Sequence, residues 1–428
     1  MFRWMKPSRL YGDAFWALAG QALSALALLV GTRLLTELVN PEVYGQVALL
    51  NGFVALGVAV FAYPFICAGM RLWPECRSAA EQQGLYAAVI ELTLPACGLA
   101  IGLLLLGSLG YTYARNLEVA PYLVTGLLLA VTVQRELGVQ LAIGRRQQRR
   151  AALWQTGDSL LRPVLAISLV LALGGKVEAV LLGYALASLL SNLAWQWLQR
   201  EQRQGAESER DFGREVWLYA LPLIPMELIF WVNGLGDRYV IGYMLTAADV
   251  GLYAATYTLV NEAFNRSAMV LLRTFQPAYF QAYSGQNDRS FRILWLWIGS
   301  VAALGVLGLL VLVLAKEFLA ELVLAKTYHA ASGLMPAMAL GCTLHALGTA
   351  MAQPLLARKQ TKRLFKGRLC GAVTAAIAIP CLVSQFGLSG AAWANPVYFG
   401  VEALVLAMLA KPWADRKTAT PAVLAAEA

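Results

Sequence analysis

The residues best suited to chemistry are ionisable side chains set inside otherwise apolar runs. They are Glu91, Arg135 with Glu136, Asp158 with Arg162, Glu227, Asp237 with Arg238, Glu262 with Arg266, and Glu402. An ionisable group at the centre of a lipid-embedded helix costs at least about 2.5–3.5 kcal/mol, so each must face a bundle interior or a wet cavity. Guanidinium suits an oxyanion because its planar fork donates two hydrogen bonds and keeps its charge when desolvated. A carboxylate suits coupling to a proton or sodium gradient, through burial or by binding the cation directly. Asp158 and Arg162, like Glu262 and Arg266, stand four apart, the spacing of an intrahelical pair. Adjacent Arg135 and Glu136 point in different directions on a helix and are not expected both to pair locally. Glu91, Glu136, Glu227 and Glu402 have no obvious basic partner in the local sequence, apart from Arg135 beside Glu136. Of these, Glu136 and Glu227 are the preferred ion-coupling groups, with Glu91 a further candidate.

The elements that must hold these residues are set by composition. Of 428 residues, 59% are apolar and 14% charged, against globular averages of roughly 45–50% and about 25%. Twelve apolar runs follow: 14–36, 43–70, 85–106, 120–142, 152–173, 177–198, 216–235, 251–272, 293–315, 333–356, 369–383 and 388–410. Each approaches or exceeds the roughly 20 residues that span a bilayer, and lipid-exposed backbone must be helical to satisfy its polar groups. The expected fold is therefore an all-α polytopic membrane protein of twelve transmembrane helices. Its expected organisation is residues 1–198, a linker at 199–215, residues 216–410, and a tail at 411–428. Soluble, secreted and disordered classes are excluded.

Lys and Arg placement orients the chain, because positive charge is retained in cytoplasmic segments. With both termini inside, 25 of the 34 basic residues fall on the cytoplasmic side and five outside. The cytoplasmic count includes a cluster from Arg358 to Arg368, whose other reading is contact with anionic lipid headgroups. The net charge of +9 is spread over seven such segments, which speaks against nucleic acid as a partner. Trp16, Trp195, Trp197, Trp217, Trp231, Trp295, Trp297, Trp393 and Trp413 are expected mainly as interfacial anchors, with sugar stacking open to Trp231 and Trp393.

No motif points to a cofactor or to membrane-embedded catalysis. Gly174-Gly175-Lys176-Val177 lacks the spacing and hydroxyl of a phosphate loop. His329 and His345 are too distant in sequence to suggest a local metal pair, and the six cysteines form no CxxC pattern. His345 is expected to pack within its span, a proton-relay role being the other reading.

An internal echo suggests duplication. Arg33 precedes Pro41-Glu42-Val43-Tyr44-Gly45, and Arg238 precedes Ala248-Asp249-Val250-Gly251. The paired glycines are 251 − 45 = 206 residues apart, close to half the chain. The string Leu221-Pro222-Leu223-Ile224-Pro225, then Asn233, Asp237-Arg238-Tyr239 and Val250-Gly251-Leu252-Tyr253-Ala254-Ala255-Thr256-Tyr257, resembles the seventh and eighth helices of polysaccharide transporters. Pro41-Glu42-Val43-Tyr44-Gly45 and Leu355-Leu356-Ala357-Arg358-Lys359 extend the match. These are the Wzx-like O-antigen and exopolysaccharide flippases of the multidrug/oligosaccharidyl-lipid/polysaccharide exporter superfamily.

The resemblance implies two pseudo-symmetric six-helix lobes around a central cavity, alternating access, and a bacterial inner membrane. It implies a lipid-linked oligosaccharide as cargo, usually on undecaprenyl pyrophosphate, and a polysaccharide polymerase and assembly proteins as partners beside the membrane lipids. Under that reading Arg135 and Arg266, with Arg33 and Arg238, supply positive potential for a diphosphate and acidic sugars. Arg33 and Arg238 lie near span ends, where snorkelling to headgroups is the simpler account. The competing classes are a multidrug exporter of the same superfamily, which would favour acidic embedded sites, a polysaccharide polymerase or ligase, and a non-transporting member of a secretion complex.

Overall fold

The computed structural model describes residues 7–115, 118–145, 147–198, 211–285 and 289–413. Much of the expected linker, the end of the tail, and the basic residues Arg3, Lys6, Arg146, Arg200, Arg203, Arg210, Arg416 and Lys417 lie outside these. The described elements are helices throughout: α1 (Pro7–Leu38), α2 (Pro41–Phe61), α3 (Tyr63–Leu72), α4 (Ala79–Arg115), α5 (Ala120–Gly144), α6 (Gln148–Leu173) and α7 (Val177–Leu198). They continue as α8 (Phe212–Ala220), α9 (Ile224–Met244), α10 (Ala247–Ser284), α11 (Arg289–Val323), α12 (Met335–Met351), α13 (Gln353–Ala357) and α14 (Thr361–Ala410). Short 3-10 segments at Trp73–Glu75 and Lys326–Leu334 join some of them.

Nine of the apolar runs read from the sequence lie within single helices; 43–70 breaks at Ala62, 216–235 at residues 221–223, and 333–356 begins in a 3-10 segment and breaks again at Ala352. Among the described residues nine helices are long and apolar enough to cross a membrane, ten when α8 and α9, bent by 43°, are taken as one span. α14 has 50 residues, and at 1.5 Å per residue this far exceeds a hydrocarbon core of roughly 30 Å. It breaks at Gly387, φ 57°, ψ −136°, between the eleventh and twelfth runs. Only glycine adopts such a backbone readily, so the reversal is written into the sequence. α10 carries Asp249, Glu262, Arg266 and Arg273 and is not among the nine.

Lipid is the solvent that these surfaces fit. α11 exposes Leu304, Val306, Leu307, Leu310, Val311, Val313 and Leu314, and α4 exposes Leu94, Leu99, Leu103 and Leu106. Continuous apolar faces of that extent are an aggregation hazard in water and the normal outer surface in a bilayer.

The chain divides into two compact units, 1–231 and 232–428. α8 belongs to the first because Phe212, Val216 and Ala220, spaced one turn apart, bury themselves against the core that holds Phe65, Ile66 and Leu85. Asp211 caps α8 by accepting from the backbone N–H of Gly213 and Arg214. The second unit has its own core around Tyr279, Leu294, Trp297 and Ile298. Trp297, expected as an interfacial anchor, is instead 1% exposed there.

The duplication is visible in the helix ends. α1 ends at Leu38 and Asn40 caps α2 by accepting from Val43 N–H; 206 residues on, α9 ends at Met244 and Thr246 caps α10 by accepting from Asp249 N–H. Both caps act on the third residue of the helix, as cap side chains do. The echo in sequence therefore marks a repeated helix–cap–helix junction.

Close packing between α6 and α7 depends on Gly183. A Cβ there would stand 2.4 Å from the Cα of Ala166 and 2.5 Å from its backbone N, atoms that cannot move aside. Gly183→Ala is expected to destabilise the protein by about 1–3 kcal/mol through overpacking. A lowered unfolding midpoint in detergent is the readout; an unchanged midpoint would contradict the geometry.

Candidate functional site

The first unit holds a cavity of about 360 Å³ lined by Asn51, Tyr63, Arg135, Glu136, Arg162 and Glu227, with valines, alanines and Thr132 completing its wall. Its polar floor is built from three helices. Asp158 of α6, 1% exposed, accepts from Arg135 Nη1 of α5 at 2.9 Å and from Ser188 Oγ of α7 at 2.8 Å. Arg162, one turn along α6, places its Nε 2.9 Å from Asp158 Oδ2 and donates through Nη2 to Ser188 Oγ at 3.0 Å. Its guanidinium also lies 6.0 Å from the centre of the Tyr184 ring. Ionised groups this far from water persist only when paired and hydrogen-bonded, and here the pairs lock α5, α6 and α7 together.

Arg135 also pairs with Glu136, through Nη2 and Oε1. The expectation that these neighbours would not both pair locally is corrected: the long arginine side chain reaches sideways to its neighbour while its other Nη reaches α6. The positive potential expected of Arg135 is accordingly neutralised by Glu136 and Asp158. Two arginines and three carboxylates, Glu136, Asp158 and Glu227, compose the site. Glu227 reaches it because Trp231, one turn later on α9, donates from Nε1 to the backbone oxygen of Gly52 on α2 at 2.9 Å. That bond gives Trp231 a structural role in place of a free interfacial one.

The remaining arginines go elsewhere. Arg33 pairs with Glu37 at 2.7 Å on the same helix, both partly exposed. Arg238, in the second unit, lies 5.6 Å from the Tyr257 ring centre. Arg266 takes the intrahelical option, with Nε 2.5 Å from Glu262 Oε2. Glu91 is exposed on α4 and does not line the cavity.

The second unit carries a buried polar network that the local sequence does not announce. Glu402 of α14, fully buried, pairs with Arg368 and accepts from Asn233 Nδ2 at 3.1 Å. Arg368 also donates to Thr349 Oγ1 at 3.1 Å, and His345 Nδ1 lies 3.7 Å from Glu402. A second chain runs beside it: Tyr398 donates to Asn395 Oδ1 at 2.8 Å, Asn395 donates to Tyr253 Oη at 2.7 Å, and Tyr253 donates to Asp237 Oδ2 at 2.5 Å. Arg368, grouped in the sequence with the basic cluster 358–368, is 7% exposed and paired, and it supplies the partner that the local sequence of Glu402 lacks. The pair is 34 residues apart, a separation no helical period reveals. The signal available was the spacing of Asn395, Tyr398 and Glu402, three polar residues on one face of an apolar run.

The polysaccharide biosynthesis protein family matches residues 10–282, well over half of the chain. The chain belongs to that family. Its match spans the first unit from residue 10 onward, with its Arg135–Asp158 floor, and continues through α9 and nearly all of α10. Among solved structures, an inward-closed lipid II flippase MurJ is similar over 93% of this chain and 87% of its own, with 13% identity and TM-score 0.74. An inward-facing multidrug resistance MATE family transporter of the MOP superfamily covers 95% and 99%, with 14% identity and TM-score 0.70. The Vibrio cholerae MATE transporter VcmN covers 96% and 98%, with 13% identity and TM-score 0.62. At these identities the likeness is one of fold. No curated protein matches the chain. This family member is thus a multi-pass membrane protein with the fold shared by these flippase and transporter structures.

Proposed function

We propose that this chain is a flippase that carries a lipid-linked oligosaccharide, borne on a polyprenyl diphosphate such as undecaprenyl pyrophosphate, across a bacterial inner membrane. It moves the cargo from the cytoplasmic to the periplasmic leaflet by ion-coupled alternating access, for O-antigen or exopolysaccharide synthesis. The sequence halves 1–198 and 216–410 are the six-helix repeats of that cycle, the start of the second packing into the first compact unit, and both termini are cytoplasmic. The observation that carries the reading is Arg135, held on the wall of a cavity of about 360 Å³ in a family member of polysaccharide biosynthesis. That volume suits a charged headgroup and leaves the lipid tail and most of the glycan outside. Glu227, which lines the cavity without an ion pair among the described residues, is the leading ion-coupling carboxylate, with Glu136 beside it.

A specific observation favours a second reading, a multidrug-type exporter: three carboxylates outnumber two arginines in the site. The two readings separate in one experiment. A strain lacking the gene should accumulate lipid-linked oligosaccharide on the cytoplasmic side and recover with the wild-type chain but not with Arg135→Gln at equal membrane abundance. Full rescue by Arg135→Gln, or resistance to cationic drugs conferred by the wild-type chain without any glycan phenotype, would overturn the flippase reading.

A further inference from the structure

Arg135 has three donor positions, and the structure uses them unequally. Nη1 is committed to Asp158, which is itself 1% exposed and fixed by Ser188, Ser191 and Arg162. Nη2 is held by Glu136. Nε is buried and has no hydrogen-bond partner. Nε and Nη2 form one edge of the guanidinium, the edge on which a carboxylate or phosphate docks with two parallel bonds. One half of that edge is buried without a hydrogen-bond partner, and the other is held by a side chain from the neighbouring residue.

Glu136 is the weaker holder. Its side chain is 20% exposed, it lines the cavity, and Arg135 is its sole ion-pair partner among the described residues. Asp158 cannot leave without stranding Arg162 and the Ser188 hydroxyl; Glu136 can swing into the cavity and be solvated there.

We propose that Glu136 is an internal competitor for the cargo's oxyanion: it occupies Arg135 when the site is empty, and a phosphate group displaces it to take the Nε and Nη2 edge. The inference rests on the anionic-cargo reading above and adds to it the group that sets affinity. Displacement leaves Glu136 and Glu227 as two like charges on one cavity, near Arg162 and the Tyr63 hydroxyl. Cargo binding is thereby linked to uptake of a cation by the same wall, since each event lowers the unfavourable charge left by the other. A fixed arginine without this competitor would hold the diphosphate tightly and release it slowly.

The test is binding of inorganic pyrophosphate to the purified full chain in detergent, by titration calorimetry at one pH. Glu136→Gln and Glu136→Ala, each eluting as a single species, are expected to bind roughly tenfold more tightly than wild type, the worth of one charge-assisted hydrogen bond no longer contested. Arg135→Gln is expected to lose binding. Unchanged affinity in both Glu136 variants, with binding still lost in Arg135→Gln, would overturn the competitor role and leave the anionic-cargo reading standing. No binding by wild type or by either Glu136 variant would overturn both.

Discussion

Arg368→Ala is expected to cost about 3–5 kcal/mol of folding stability and to remove most of the protein from the membrane fraction. The reason is the partner it leaves behind. Glu402 is fully buried, and with Arg368 gone its remaining neighbours are Asn233 and the His345 ring. Removing one member of a buried ion pair strands the other charge, which is far more damaging than removing both. The double substitution Arg368→Met with Glu402→Leu should therefore recover most of the lost stability, provided that residue 371 stays glycine, since a Cβ added there would stand 2.5 Å from Glu402 Oε2. Thermal unfolding of the purified chain in detergent measures both. An Arg368→Ala midpoint indistinguishable from wild type would show that the pair contributes nothing.

Asp158→Ala is expected to have the largest effect in the first unit, on folding and on transport together. One carboxylate there anchors Arg135 from α5, Arg162 on α6 and two hydroxyls from α7. Its loss leaves two guanidiniums competing for Glu136 and the Ser188 hydroxyl short of an acceptor, while Ser191 keeps the Ser188 backbone oxygen. A cost of about 3–5 kcal/mol follows from the stranded charge, and glycan export should fall to background. Asp158→Asn keeps the shape and loses the charge, so it should fall between wild type and alanine. The partly exposed Glu136 offers a contrast: Glu136→Gln should unfold close to wild type, because a group at a cavity wall can be rehydrated. Equal damage from Asp158→Ala and Glu136→Gln would mean that burial does not set the ranking.

How much of this was legible beforehand depended on sequence distance. The break at Gly387, the pairing of Glu262 with Arg266, and the cap residues Asn40 and Thr246 all rest on interactions within a few residues, which helical geometry alone dictates. Asp158 with Arg162 was legible as a pair but not as the hub for Arg135 and Ser188. The partner of Arg368 was not legible for the same reason. It closes a run of basic residues, and its fate turned on Glu402, one hairpin away across the Gly387 reversal.

By itself the sequence determined that lipid is the solvent, that the chain is helical, where the apolar runs lie, and that a short motif recurs 206 residues later. Those properties follow from hydropathy, backbone hydrogen bonding and local capping, which act along the chain. Only the tertiary structure decided which charges meet. It assigned Asp158 to two arginines, gave Arg368 to Glu402, and left Arg135 Nε buried without a partner, because electrostatic partnership in a low-dielectric interior is settled by proximity in space.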